Sequence, residues 1–128
     1  MGLLNKLFGK KEQIEFKKVE GNVLTLENQN RRLENPTKED LKDYLNYLFD
    51  EDDQFITLTL AKAKEGVRFV QATFAGTKLI VQLGLEENNK THLVEKVCDR
   101  SEECVEIFYR FYDLGTVDNI SEYAPVQF

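Results

Sequence analysis

Four segments rich in β-branched and aromatic residues decide the fold of this 128-residue chain. They read FITLTL at residues 55–60, VRFVQATF at 67–74, LIVQL at 79–83 and THLVEKVC at 91–98. Such residues suit a pleated, half-buried surface, and each segment is therefore predicted to be a strand. The connections EG, AGT and EENNK are short and turn-like, and short connections join neighbouring strands that run antiparallel. The stretch from about 55 to 98 therefore predicts a four-stranded antiparallel meander.

A further hairpin is predicted before the meander. Residues 14–17 (IEFK) and 23–27 (VLTLE) resemble strands and flank the turn-like EGN at 20–22. The first of them alternates apolar with charged residues, as a half-exposed strand does. The pattern leaves open whether this hairpin extends the main sheet or stands beside it. Residues 28–32 (NQNRR) have no periodicity and are predicted to form a loop.

The clearest helix start lies at Thr37. Thr37 and Asp40 are three residues apart, which is the spacing of a capping box, and the helix is therefore expected to begin at about Lys38. Apolar side chains then recur on one face, namely Leu41, Tyr44, Leu45, Leu48 and Phe49. The spacing predicts an amphipathic helix over about 38–49 that covers one face of the sheet.

A second amphipathic helix is predicted over about 102–113. Either Asp99 together with Glu102, or Ser101 alone, can cap its start, and Gly115 is well placed to end it. Its apolar face contains Cys104, Ile107, Phe108 and Phe111 and is widened by Val105, Tyr109 and Tyr112. The C-terminal tail, residues 116–128, has spaced apolar residues and either lies along the domain or extends from it.

These elements predict a single α+β domain over residues 1–128, in which an antiparallel sheet packs with two amphipathic helices. No apolar run approaches the roughly 20 residues of a membrane span, and the N-terminus lacks the apolar block of a secretory signal. A cytoplasmic location without stable membrane insertion is therefore expected. In that reducing compartment Cys98 and Cys104 are expected to remain thiols, as core residues or bystanders.

The first eleven residues, MGLLNKLFGKK, carry a separate signal. In a short helix the apolar residues Leu3, Leu4, Leu7 and Phe8 would lie on one side, while Lys6, Lys10 and Lys11 fall outside that stripe. A basic amphipathic helix of this kind binds an anionic membrane surface only weakly and reversibly. A terminal helix that docks on the domain or frays from it explains the same pattern.

The charge and the motifs favour a binding protein over an enzyme. Net charge is −6, and residues 34–53 hold eight carboxylates and two lysines. An acidic surface disfavours nucleic acid and favours a basic partner. The sequence shows no phosphate-binding loop, no zinc or calcium spacing and no nucleophile elbow, and His92 is its single histidine. We therefore expect a non-enzymatic protein with no cofactor and no metal.

A partner-binding site is predicted at the end of the first helix. Tyr47 falls off the apolar stripe, and four carboxylates follow it, namely Asp50, Glu51, Asp52 and Asp53. An exposed tyrosine beside charged residues is typical of an interface anchor. A solvated charge cluster and a partly buried helix edge are the alternative explanation of the same residues.

Three segments resemble a known family. Residues 35–41 (NPTKEDL), 55–60 followed by 67–72 with its VQA, and 102–112 (EECVEIFYRFY) are similar to the small immunity proteins of bacterial polymorphic toxin systems, in the group often paired with deaminase-type toxins. The resemblance covers roughly residues 35–115, although the Trp of that family is absent. It implies a cytoplasmic protein that binds a cognate toxin domain and blocks its active site or substrate groove. The alternatives are an adaptor or regulatory domain that uses residues 1–11 at membranes, and a small-molecule binder.

Overall fold

The computed structural model describes residues 24–50, 55–61 and 66–126, which form two helices and one antiparallel sheet. The elements are β1 (Leu24–Asn28), β2 (Arg32–Glu34), α1 (Lys38–Asp50), β3 (Phe55–Leu60), β4 (Gly66–Ala75), β5 (Lys78–Glu87), β6 (Lys90–Cys98), α2 (Ser101–Leu114), a 3-10 turn (Ile120–Glu122) and β7 (Ala124–Pro125). The strand order is β2-β1-β3-β4-β5-β6-β7. The predicted α+β class, the meander and both helices are confirmed.

The turns of the meander are tighter than the sequence predicts. β5 and β6 pair as far as Glu87 and Lys90, which leaves a loop of only two residues. Asn88 and Asn89 fill it with φ angles of 53° and 64°. Two positive φ angles define the type I′ turn that best matches the twist of paired strands, and Asn tolerates this conformation. The predicted five-residue connection at 86–90 is therefore mostly strand.

The N-terminal hairpin is present, and it belongs to the main sheet. β1 pairs with β2 on one side, where Leu26 lies opposite Leu33, and with β3 on the other, where Leu26 lies opposite Leu58. The predicted arm at residues 14–17 lies outside the described residues. Sequence patterns did not indicate β2, because its three residues are too few to show an alternation.

One face of the sheet forms the core. Leu26, Leu58, Val70 and Leu83 lie in register across four strands, and all four are fully buried. Both helices pack their apolar stripes on this face, through Leu41, Tyr44, Leu45 and Leu48 of α1 and Cys104, Phe108 and Phe111 of α2. The register therefore directs alternate strand residues to the face on which the helices pack.

The two helices begin differently. The amide of Thr37 donates to Asp40 Oδ2 at 2.9 Å, and the amide of Asp40 donates to Thr37 Oγ1 at 3.0 Å, which confirms the capping box. The cap predicted for α2 is wrong, because its N-cap residue is Arg100 and no side chain caps it. Ser101 already lies inside the first turn. At the other end Gly115 has a φ of 73° and donates to the Phe111 carbonyl, as predicted.

The C-terminal segment, residues 115–126, lies along the domain, which decides between the two predicted arrangements. Val117 and Tyr123 are buried, and β7 pairs with β6 so that Pro125 lies opposite Val94. The amide of Val126 also donates to the Leu93 carbonyl at 3.0 Å. This pairing covers part of the β6 edge, which would otherwise expose unpaired backbone groups.

Truncation of α1 tests the core. Leu45 is 1% exposed, and Leu45→Ala is expected to lower the free energy of unfolding by about 2–5 kcal/mol, because it removes apolar contacts and leaves a cavity. The next residue, Asn46, is exposed, and Asn46→Ala is the matched control with an expected change within ~0.5 kcal/mol. Urea unfolding measures both values, and equal losses would contradict the assigned helix faces.

On the opposite face of the sheet, Phe69 covers the backbone of Gly84. A Cβ at position 84 would overlap the Phe69 ring, so Gly84→Ala must displace that ring. In the native chain we expect Gly84→Ala to lower the free energy of unfolding by ~1 kcal/mol. In a Phe69→Ala background the same substitution is expected to be neutral or stabilising, because the alanine restricts the unfolded chain. Additive effects in this double-mutant cycle would contradict the contact.

Candidate functional site

The predicted partner-binding residues are only partly within the described chain. Tyr47 is 41% exposed and Asp50 is exposed, whereas Glu51, Asp52 and Asp53 lie outside the described residues. The exposed stripe of α1 contains Glu39, Lys42, Asp43, Asn46, Tyr47 and Asp50. Side chains three and four residues apart are neighbours on a helix, so Asp43 and Asp50 flank Tyr47 by one turn on either side. Tyr47 and Asp50 therefore share one exposed, acidic stripe.

Negative charge is concentrated on three elements, which we call the acidic layer: α1, α2 and the C-terminal segment. α1 holds two lysines and four carboxylates, α2 one arginine and four carboxylates, and the C-terminal segment two carboxylates. Together these elements carry −7, against −6 for the whole chain. The rest of the chain is therefore close to neutral, and the acidic layer determines the sign of the long-range field.

Lys38 joins the two helices at one end of the acidic layer. Its Nζ lies 2.7 Å from Asp113 Oδ2 and 5.2 Å and 5.9 Å from the ring centres of Tyr109 and Tyr112. The hydroxyl of Tyr112 donates to the Pro36 carbonyl at 2.9 Å, and burial raises the pKa of this tyrosine. The ion pair itself is exposed and contributes little, so the aromatic packing and the hydroxyl hydrogen bond hold the junction.

A groove of about 670 Å³ runs between α2 and the C-terminal segment. Its walls combine apolar and charged side chains, including Val105, Ile107, Tyr109, Leu114, Glu106 and Asp118. Leu114 is 51% exposed. Arg110 crosses the groove and pairs with Asp118 at 2.8 Å. The lining of the groove thus combines apolar side chains with five carboxylates and two cations.

Lys96 fixes one end of this groove. Its Nζ lies 2.7 Å from Glu103 Oε2 of α2 and 3.2 Å from Glu122 Oε1 of the 3-10 turn, and 5.6 Å from the ring centre of Tyr123. The hydrogen bond with Glu103 raises the pKa of Lys96, and the same bond lowers the pKa of Glu103. Burial raises the pKa of Tyr123 to about 12. One cation therefore connects β6, α2 and the C-terminal segment.

The sequence did not indicate these two lysine clusters. Lys38 and Asp113 are 75 residues apart, and Lys96 and Glu122 are 26 apart. Lysines and carboxylates are frequent in this chain, so no local pattern marks the ones that meet. Their positions depend on the packing of both helices on the sheet.

The cysteines are part of the core. Cys98 and Cys104 are both buried and free, so of the two predicted alternatives they are core residues. Burial raises the pKa of Cys98 to about 11 and also raises the pKa of Cys104 well above its ordinary value. Since the thiolate is the reactive form, neither residue is activated as a nucleophile.

Within residues 24–50, 55–61 and 66–126, no three His, Cys, Asp or Glu side chains come together in a way that could hold a metal ion. Neither helix of this part of the chain has the length and apolar character needed to cross a bilayer.

No protein-family model matches this chain, and neither the curated proteins nor the solved structures contain a significant match. The resemblance to immunity proteins therefore stays a prediction.

The Lys96 cluster leads to a pH-dependent prediction. Glu103 stabilises the fold above its unfolded-state pKa of ~4.3, and this contribution is lost as pH falls through its lower folded-state pKa. Lys96 contributes below ~10.4, and this part is lost as pH rises through its higher folded-state pKa. A carboxyl ¹³C titration should therefore place the Glu103 midpoint below ~4.3, and Lys96→Met should raise it towards that value.

Arg110→Met is the matched control for this titration, because it removes a neighbouring cation that pairs with Asp118 and not with Glu103. It should leave the Glu103 midpoint unchanged. An equal shift in both variants would show that general charge, and not the Lys96 contact, sets the pKa of Glu103.

Proposed function

We propose that the protein is a non-enzymatic immunity protein, which binds a cognate bacterial toxin domain in the cytoplasm through its acidic layer. The observation that carries this proposal is the concentration of negative charge on α1, α2 and the C-terminal segment. These three elements together carry a charge of −7, and the whole chain carries −6. An interface of one sign steers an oppositely charged partner and speeds its association. The partner surface is therefore basic.

A toxin that acts on nucleic acid fits this requirement. Such an enzyme needs cationic side chains to bind phosphates, and a protein that presents carboxylates to the same groove excludes the substrate. The resemblance of residues 35–41 and 102–112 to immunity proteins points to the same class of partner. Blocking requires only a fitted surface, so no catalytic group is needed on this chain.

Tyr47 gives the acidic layer a candidate anchor. Its side chain is 41% exposed, and Asp43 and Asp50 flank it on the same helix stripe. Aromatic residues that become buried at the centre of an interface contribute most of the binding energy, while charged residues around them set orientation and association rate. In this arrangement Tyr47 supplies affinity and the carboxylates supply selectivity for a basic surface.

The proposal predicts that a toxin gene lies beside the gene of this protein, and charge reversal on α1 tests it with the toxin domain of that gene as the probe. Asp43→Lys with Asp50→Lys should weaken binding at least about tenfold, equivalent to ~1.4 kcal/mol, and should flatten its salt dependence. Tyr47→Ala should weaken binding by a further ~2 kcal/mol without changing the salt dependence. Calorimetric titration at two salt concentrations measures each effect.

The matched control is Glu34→Lys with Glu87→Lys, which makes the same change in net charge at two exposed residues outside the acidic layer. This control should retain nearly native affinity. The proposal fails if the two double variants bind equally well, or if the neighbouring toxin domain does not bind the native protein.

A further inference from the structure

The outer side of α2 carries an acidic strip that local preferences do not favour. It consists of Glu103, Glu106, Arg110 and Asp113, at spacings of three and four residues along one side of the helix. Glu102 also lies four residues before Glu106, so like charges are neighbours there. The last turn contains Asp113 but no lysine or arginine, although this end of a helix favours cations. Such conflicts between sequence and local preference are expected at functional sites.

Ion pairs within the described structure neutralise most carboxylates of the groove but not Glu106. The groove between α2 and the C-terminal segment is lined by five carboxylates and by Lys96 and Arg110. Lys96 pairs with two of these carboxylates, Arg110 pairs with Asp118, and a lysine of α1 pairs with a fourth. The exposed carboxylate of Glu106 has no ion pair within residues 24–50, 55–61 and 66–126. The groove therefore keeps a net negative charge.

Apolar side chains flank the acidic strip on both of its sides. Helical spacing places Val105 and Tyr109 on one side and Ile107 and Leu114 on the other, and all four line the groove. Leu114 is 51% exposed, and the other three are half-buried. The groove thus places carboxylates next to apolar surface that water still reaches.

Arginine and lysine are the side chains that match such a lining. Each has an aliphatic stem that packs on apolar surface and a cationic head that pairs with carboxylates. Arg110 already uses the groove in this way, since it lines the groove and its guanidinium lies 2.8 Å from Asp118 Oδ2. The two side chains are 46% and 61% exposed, so their pair stabilises little and a competing cation can displace Arg110. Nucleic acid, by contrast, would be repelled.

We propose that this groove binds a segment of the basic partner that inserts an arginine or lysine side chain between α2 and the C-terminal segment. The inserted stem packs on Ile107 and Leu114, and its cationic head replaces Arg110 beside Asp118 and approaches Glu106. Glu106 then gains the ion pair that it lacks in the free protein. This inference rests on the proposed function, because the partner is the same toxin domain, and it adds which part of the acidic layer holds that partner.

Two substitutions in the groove test the charged and the apolar contact separately, with the toxin domain of the neighbouring gene as the probe. Glu106→Gln should weaken binding about threefold at low salt and have almost no effect at high salt, because salt screens an exposed charge. Leu114→Ala should weaken binding about fivefold at both salt concentrations, since an apolar contact is not screened. The fluorescence anisotropy of a labelled toxin domain measures each dissociation constant.

Each substitution has a matched control. Glu102→Gln makes the same change of charge on the same helix but outside the groove lining, and it should weaken binding by less than about 1.5-fold. Val97→Ala truncates an apolar side chain of similar exposure, 47%, on the opposite face of the sheet, and it should leave the affinity unchanged. Thermal unfolding verifies the fold of every variant. Glu106→Gln should not lower the melting temperature, because it removes repulsion from Glu102 and Glu103.

Three outcomes overturn the proposal. Native affinity of Leu114→Ala would show that no side chain of the partner packs in the groove. Equal losses for Glu106→Gln and Glu102→Gln would assign the effect to general charge. A melting temperature of Glu106→Gln that falls together with its affinity would show a structural role of this carboxylate. In these three cases the native protein still binds the toxin domain and the proposed function stands, whereas absence of binding by the native protein would contradict both.

Discussion

Burial of one sheet face beneath two helices is the constraint on which the rest of this structure depends. The strands are antiparallel and in register, so a single alternation directs Leu26, Leu58, Val70 and Leu83 to the same side. α1 and α2 bury their apolar stripes there. A slip of one residue in any strand would expose its core side chains, which is why the register is strongly determined. The arrangement leaves the acidic layer on one side of the sheet and an uncovered sheet face on the other.

The acidic layer carries an electrostatic cost that two lysines partly offset. Carboxylates of like charge on α1, α2 and the C-terminal segment repel one another. Lys38 and Lys96 lie at two positions where these elements meet, and each contacts carboxylates and tyrosine rings from more than one element. Because Lys96 is mostly buried, its ion pairs are less screened than those of Lys38. The remaining carboxylates stay solvated and available to a basic partner.

The two surfaces differ in the interactions they offer. The acidic layer combines an exposed tyrosine with carboxylates and a groove, which suits selective recognition of a charged protein surface. The opposite face of the sheet combines half-buried aromatic and aliphatic side chains with a row of polar side chains that already bond one another, from Thr57 to Glu95.

The sequence by itself determined the class of fold, the meander, both helices and the capping box at Thr37, because these depend on periodicity and on contacts between residues close in the chain. It also placed Tyr47 on an exposed stripe, since helical spacing decides which side chains lie opposite the core. Only the tertiary structure decided that β1 joins β3, that the C-terminal segment pairs with β6, and that Lys38 and Lys96 meet their distant carboxylates. These contacts join residues tens of positions apart, and no local pattern distinguishes the lysines and carboxylates that meet from those that remain in solvent.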